Sequence, residues 1–152
     1  MTMKDVMNQR HVVRKFTNKP ISEELVKKLN DRVSDDNEKS GLSMKLVINN
    51  SKGLNTVAKM FFAKGVKNYV ILAGSDSENL NEKLGYYGAD IMLYAQTNGL
   101  NTWWIGSTFN RNVDKIVPGN KVIGIIAVGY GATQGVAHKS KTSAEVSEYM
   151  GE

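Results

Sequence analysis

The sequence predicts an α+β sandwich in which a sheet is covered by helices, and three observations carry that prediction. Two apolar runs of strand length, residues 69–73 (YVILA) and 121–128 (KVIGIIAV), read as strands buried on both faces. Segments with helical spacing and capping residues stand around them. The order of these elements lacks the strict strand–helix–strand rhythm of a parallel sheet, so a doubly wound parallel fold is the second choice. A length of 152 residues with 41% hydrophobic content suits one domain spanning residues 1–152.

Each element follows from local chemistry. Thr2 and Asp5 have capping-box spacing at the start of a short helix, with Met3, Val6 and Met7 on one face. That helix delivers RHVVRKF. After Pro20 and Ile21, Ser22 is an N-cap with Glu23 and Glu24 in the first turn and Leu25, Leu29 and Val33 at helical spacing. This second helix is expected to end in the polar run SDDNEKSG. Residues 44–49 (MKLVIN) alternate as a strand does, and residues 55–63 fit a brief helix around Val57, Met60 and Phe61. Beyond the YVILA strand, Gly74 and Ser75 break the chain. Ser75 and Glu78 have capping-box spacing for a long helix bearing Leu80, Leu84, Tyr87, Ile91 and Tyr94, closed by Gly99. Tyr86, Tyr87 and Tyr94 are expected in or near the core. Gly85 and Gly88 lie inside this helix at roughly 1 kcal/mol each relative to alanine, which points to close helix packing or close approach of a backbone or flat ligand. Next come LNTWWIGSTF, a short polar helix over residues 112–116, the KVIGIIAV strand and the glycine-punctuated GYGATQG. The tail AHKSKTSAEVSEYM is basic, then weakly helical behind Thr142 and Glu145.

Composition removes several kinds of chemistry. The absence of cysteine excludes disulfides, thiolate metal sites and cysteine nucleophiles. His11 and His138 are the only histidines, far apart, so no metal site is expected. The polar N-terminal segment has no signal-like apolar region, which predicts a cytoplasmic protein. A net charge of +5 suits an anionic partner without choosing among a phosphate-bearing cofactor, nucleic acid and counterions.

Arg10 and Arg14, four residues apart, can converge on one phosphate or carboxylate through planar forks of donors, although a solvated basic face is the simpler reading. His11 between them reads equally well as a surface residue. Lys139 and Lys141 form a second basic pair behind the glycine segment. The junctions AGSDSE and GYGATQG resemble places where backbone N–H groups meet an anion, but neither matches a dinucleotide or Walker glycine pattern. Trp103 and Trp104 read as core anchors, and Gly106 leaves space for a flat ring. No Ser/His/Asp arrangement or paired carboxylate stands out.

Together these segments resemble the nitroreductases: RHVVRKF is similar to their R-R-S-x-R-x-F opening, and GLNTWWIGSTF to their G-L-G-x-x-W-I-G-x-F segment. The strands YVILAG and KVIGIIAVGYG and the basic HKSK stretch fall in the same order, so the resemblance covers nearly the whole chain. It implies a nitroreductase-like sandwich with a central, mostly antiparallel sheet, and a homodimer holding FMN at the subunit interface. NADH or NADPH would deliver hydride to the flavin, for transfer to a nitro, quinone or similar small-molecule acceptor. By the same resemblance Arg10, His11 and Arg14 would contact the FMN phosphate and pyrimidine side, with Val12 where the family often has serine. Ile105, Gly106 and Ser107 would approach the isoalloxazine, and Lys139 and Lys141 would complete the phosphate site. No catalytic acid or base is required. The family's A-P-S-x-x-N-x-Q-P-W segment, whose asparagine touches the flavin, is absent, and the corresponding region reads DDNEKSGLSMKLV. A flavin-binding protein with little turnover is therefore the alternative. A nucleic-acid-binding domain is supported only by charge and a few exposed aromatics and ranks last, and no membrane partner is expected.

Overall fold

The computed structural model describes residues 2–61, 63–137 and 139–148, so His138 lies outside the described residues. The chain opens with α1 (Met3–Gln9), whose start is the expected reciprocal cap: Thr2 Oγ1 accepts from the Asp5 N–H, and the Asp5 carboxylate accepts from the Thr2 N–H at 2.8 Å. Ser22 caps α2 (Glu23–Ser40) by accepting from the Leu25 N–H at 3.3 Å. The helix ends in the polar run, as expected, at the run's last residues. Asp36 and Ser40 of that segment are buried, and the stop is Gly41, left-handed at φ +71°.

Four strands follow: β1 (Lys45–Val47), β2 (Tyr69–Gly74), β3 (Asn101–Ile105) and β4 (Lys121–Gly129). They form one antiparallel sheet in the order β1-β2-β4-β3, so the fold is the expected α+β sandwich. The register builds rows across the sheet. Ile71, Ile125 and Ile105 stand side by side, as do Tyr69, Ala127 and Trp103. These rows make one face, covered by Phe16, Leu54, Ala58, Val66, Phe109 and Val113. The opposite face carries Val70, Leu72 and Ile126, with Trp104 beside them, and packs on α2 and on α4 (Leu80–Thr97). β3 escapes sequence periodicity because both faces of this strand are covered. Consecutive Trp103 and Trp104 turn to opposite faces and erase the polar–apolar alternation.

Helix α4 buries Leu80, Leu84, Gly88, Ile91 and Ala95, a stripe at spacings of three and four. Its cap is Asn79, without a side-chain hydrogen bond, instead of the expected Ser75–Glu78 box. Upstream, the Asp76 carboxylate pairs with Lys121 of β4 at 2.9 Å, and the helix starts later. Gly88 is where the indole of Trp104 enters: a Cβ there would lie 2.5 Å from the ring. At Gly85 a Cβ would meet nothing, so only one of the two glycines serves packing. Tyr86 falls off the buried stripe and is 73% exposed, against the expectation of a core position. Likewise Met3 and Met7 are about half exposed while Val6 alone of that face is buried. The C-terminus is a Schellman turn: Leu100 N–H bonds Ala95 C=O and Gly99 N–H bonds Gln96 C=O, with Gly99 at φ +73°. It feeds the chain directly into β3. The remaining elements are α3 (Thr56–Phe61), 3₁₀ turns at Ser51–Gly53 and Arg111–Ile116, and α5 (Ser143–Val146), capped by Thr142 and Glu145 as anticipated. Among the described residues no helix is long and apolar enough to cross a membrane.

The α2–α4 seam holds a charged cluster. Arg32 grips the Asp90 carboxylate with two bonds of 2.6 Å, its guanidinium lies over the Tyr94 ring at 5.4 Å, and Asp36 stands 4.0 Å away with one oxygen unpartnered. Burial, reinforced by the Asp90 carboxylate, pushes the Asp36 carboxyl up from 3.8 to about 6 against the pull of Arg32 and Lys39. A folded-state pKa raised in this way stabilises the fold fully below the unfolded value, and that contribution is lost as pH rises through about 6. The shift corresponds to on the order of 3 kcal/mol. In urea unfolding from pH 4 to pH 7, wild type is expected to lose this increment relative to Asp36→Asn. Parallel pH profiles for the two proteins would exclude the carboxyl as the cause.

Candidate functional site

Of the candidate residues, His11, Val12 and Arg14 lie on a strap, residues 11–16, that leaves α1 at Arg10 in extended conformation. On one side the strap pairs with the outer edge of β3: Val12 is bridged to Thr102, and Val13 N–H donates to Thr102 C=O at 3.3 Å. On the other it pairs with the loop after β4. Ala132 N–H donates to Lys15 C=O and Thr17 N–H to Tyr130 C=O, each at 2.8 Å, while Phe16 is bridged to Gly131. Gly135 completes the contact. Its φ is +82°, and a Cβ would sit 2.6 Å from His11 Cβ and 2.9 Å from the Val12 carbonyl oxygen, so only glycine serves there. Between strap and loop lies a cavity of about 430 Å³, lined by Val12, Val13, Arg14, Lys15, Thr133, Gly135 and Val136.

Arg14 is held by its aromatic neighbour. Its guanidinium lies 5.6 Å from the ring centroid of Trp103, and among the described residues no carboxylate is within ion-pair reach of Arg10, Arg14 or Lys15. Among the described residues, the cations on the wall of the cavity, Arg14 and Lys15, have no ion-pair partner. The structure brings His11, Val12 and Arg14 together with the glycine loop, and Trp103 links Arg14 to the strand that ends in Ile105. Lys139 and Lys141 are exposed beyond the loop, and no hydrogen bond or ion pair between described residues ties them to the strap. Of the anion-binding junctions suggested by sequence, GYGATQG lines this cavity, whereas AGSDSE places Asp76 against Lys121.

At the far end of β3, Ile105 is 2% exposed and points into the core, so only its backbone can meet a ligand. Gly106 and Ser107 are exposed. Packing does not require glycine at position 106, since a Cβ there would be 3.9 Å from its nearest neighbour, the Trp104 Nε1. Packing does require it at Gly124 on β4, where a Cβ would meet the Ile105 carbonyl oxygen at 2.6 Å and Gly106 Cα at 3.4 Å.

The region that departs from the nitroreductase pattern has a definite structure. Residues 41–44 join α2 to β1 directly, with Leu42 and Met44 buried, and Asn37 is consumed in pinning this link: its side chain both accepts from Met44 N–H and donates to Met44 C=O at 2.9 Å. No asparagine from this link is free to reach a ligand. Two residues escaped sequence reasoning: Asn101, which stands where the family segment has glycine, and Gln134. Their amides join β3 to the glycine loop. The one available signal was that asparagine at a glycine position.

The contrast between the two glycines is testable. Gly124→Ala is expected to cost about 1–3 kcal/mol in thermal or urea unfolding by overpacking the β3 exit. Gly106→Ala should stay within about 0.5 kcal/mol of wild type. Equal costs would contradict this account of the β3 exit.

Comparison with known proteins agrees with this architecture. No curated protein matches the sequence. Among solved structures, a nitroreductase-like protein from Streptococcus mutans superposes with TM-score 0.75 at 15% identity, over 99% of this chain and 100% of that one. An FMN-dependent nitroreductase from Clostridium difficile gives 0.71 at 16% identity, over 97% and 98%. A protein from Bacteroides thetaiotaomicron described as "Putative NADH dehydrogenase/NAD(P)H nitroreductase" gives 0.71 at 18%, over 97% and 96%. At these identities the likeness is one of fold. The family described as "Putative TM nitroreductase" matches residues 2–152, and this chain, with its antiparallel sandwich and its strap-and-loop cavity, belongs to that nitroreductase family.

Proposed function

We propose that this chain, a single domain over residues 1–152, is an FMN-dependent NAD(P)H oxidoreductase that works as a homodimer and reduces nitro, quinone or similar small acceptors. The observation that carries the reading is the cavity between strap and loop, with Arg14 stacked on Trp103 and free of any carboxylate among the described residues. Its volume of about 430 Å³ and its cationic wall suit a phosphate-bearing ligand of cofactor size. Bound FMN supplies the redox chemistry by accepting and returning a hydride.

The chain's own residues bind and orient. Arg10, His11 and Arg14 would hold the phosphate and pyrimidine side, Val12 would offer backbone contacts in place of a hydroxyl, and Lys139 and Lys141 would close on the phosphate from the tail. Ile105, Gly106 and Ser107 would offer backbone groups to the ring, and Gly106, unneeded by packing, fits a flat group lying close. Support for FMN and NAD(P)H also comes from the descriptions of the C. difficile and B. thetaiotaomicron proteins. Support for the homodimer comes from a groove between α1 and α4 with Met3, Met7 and Tyr86 on its walls, each about half to three-quarters exposed. The direct α2–β1 link, which offers no asparagine to a flavin, favours a second reading: a flavin-binding protein with little turnover.

The first test is to load the purified protein with FMN, remove the excess and record the visible spectrum. Retained flavin bands that bleach with NADH, with steady NADH oxidation when an acceptor is added, are expected of the enzyme. Retained bands without turnover select the second reading, and a colourless protein sinks both. Arg14→Ala is expected to weaken FMN binding by roughly 1.5–3 kcal/mol through loss of a charge-assisted bond, and unchanged affinity would remove Arg14 from the site. Light scattering should give a dimer. A monomer that still holds flavin would contradict the assembly.

A further inference from the structure

Besides its backbone bonds to the strap, the loop that forms half of this cavity is held by one buried side chain. Asn101, the first residue of β3, is 2% exposed. Its Oδ1 accepts from the Gly131 N–H at 2.9 Å and its Nδ2 donates to Gln134 Oε1 at 3.1 Å. The Gly131 N–H can only donate, so it fixes which way the amide faces and leaves Nδ2 for Gln134. The fit is close: a Cβ on Gly131 would lie 2.8 Å from Asn101 Oδ1 and 2.8 Å from Val13 Cγ1. Within the loop, Gly135 N–H donates to Thr133 Oγ1 at 3.3 Å, so a loop anchored at its start and at Gln134 carries Thr133, Gly135 and Val136 as one unit to the cavity wall.

We infer that Asn101 is a positioning residue for the anion end of this site. It latches residues 131–136 against the strap, sets the width of the cavity facing Arg14, and fixes where the chain bearing Lys139 and Lys141 departs. Lysine and arginine side chains lose conformational freedom when they gather on one phosphate, and a backbone already held in place lowers that cost. This inference rests on the FMN reading above.

The experiment compares wild type, Asn101→Ala and Gln134→Ala, the last at an exposed position where folding is not at stake. Amide hydrogen exchange is measured on FMN-free protein, and FMN and riboflavin are each titrated by flavin fluorescence. Faster exchange at Gly131 is expected in Asn101→Ala, and at the following amides in both variants. FMN affinity should fall about tenfold in Asn101→Ala and about threefold in Gln134→Ala, as loss of one or two hydrogen bonds implies. Riboflavin affinity should not change, because riboflavin lacks the phosphate. Equal losses for both ligands would overturn the inference by revealing general distortion, and so would unchanged FMN affinity or unchanged exchange. Failure of the FMN reading is seen separately, in wild type alone: a wild-type protein that binds neither flavin removes the reading and the inference together.

Discussion

The outer edge of β3 is the constraint on which the rest of the structure depends. With Trp103 against one layer and Trp104 against the other, this strand cannot leave its backbone groups to water, and an uncovered edge invites pairing with another chain. The strap supplies the cover through Val12 and Val13, and its remaining backbone groups then need partners of their own, which the loop after β4 provides at Lys15 and Thr17 and Lys64 provides at Arg14 and Phe16. Four segments far apart in sequence become neighbours to satisfy backbone hydrogen bonding. The cavity forms where strap and loop part company between Val12 and Lys15, so the site is a by-product of covering an edge.

Charge is distributed with the same economy. The only charged group fully buried among the described residues is Asp36, and it stands in the α2–α4 seam with Arg32 and Asp90, away from the strap. The other ion pairs, Lys27–Asp31, Lys28–Glu24 and Lys121–Asp76, are exposed and contribute little to stability. Their effect lies more in what they engage: acidic groups are paired on α2 and at the β2–α4 junction, while among the described residues none pairs with the cations of the strap. A net charge of +5 adds a long-range attraction for anions to that local one.

Much of this was legible in the sequence, and particular residues show why. Thr2 with Asp5, Ser22 and Gly99 act within one or two helical turns, so their identities alone determined where helices begin and end. The central strands β2 and β4 declared themselves as unbroken apolar runs because both faces are buried. The RHVVRKF and GLNTWWIGSTF segments were readable for similar reasons: each packs its candidate site residues into a short stretch. Local rules failed where a distant group competes. Asp76 turns to Lys121 and the α4 start moves, and Tyr86 turns outward because the helix stripe passes it by.

The sequence by itself determined the kinds of elements apart from β3, most of their caps, the family pattern and the residue types able to hold an anion, because these depend on contacts a few residues apart. Only the tertiary structure decided that β3 is an edge strand, that Arg14 stacks on Trp103, and that Asn101 holds the glycine loop. Those outcomes join residues separated by 30 to nearly 90 positions, in the pairs Asn101 with Gly131 and Arg14 with Trp103. No local pattern encodes them. They follow from closing a sheet whose faces and edge must all be covered at once.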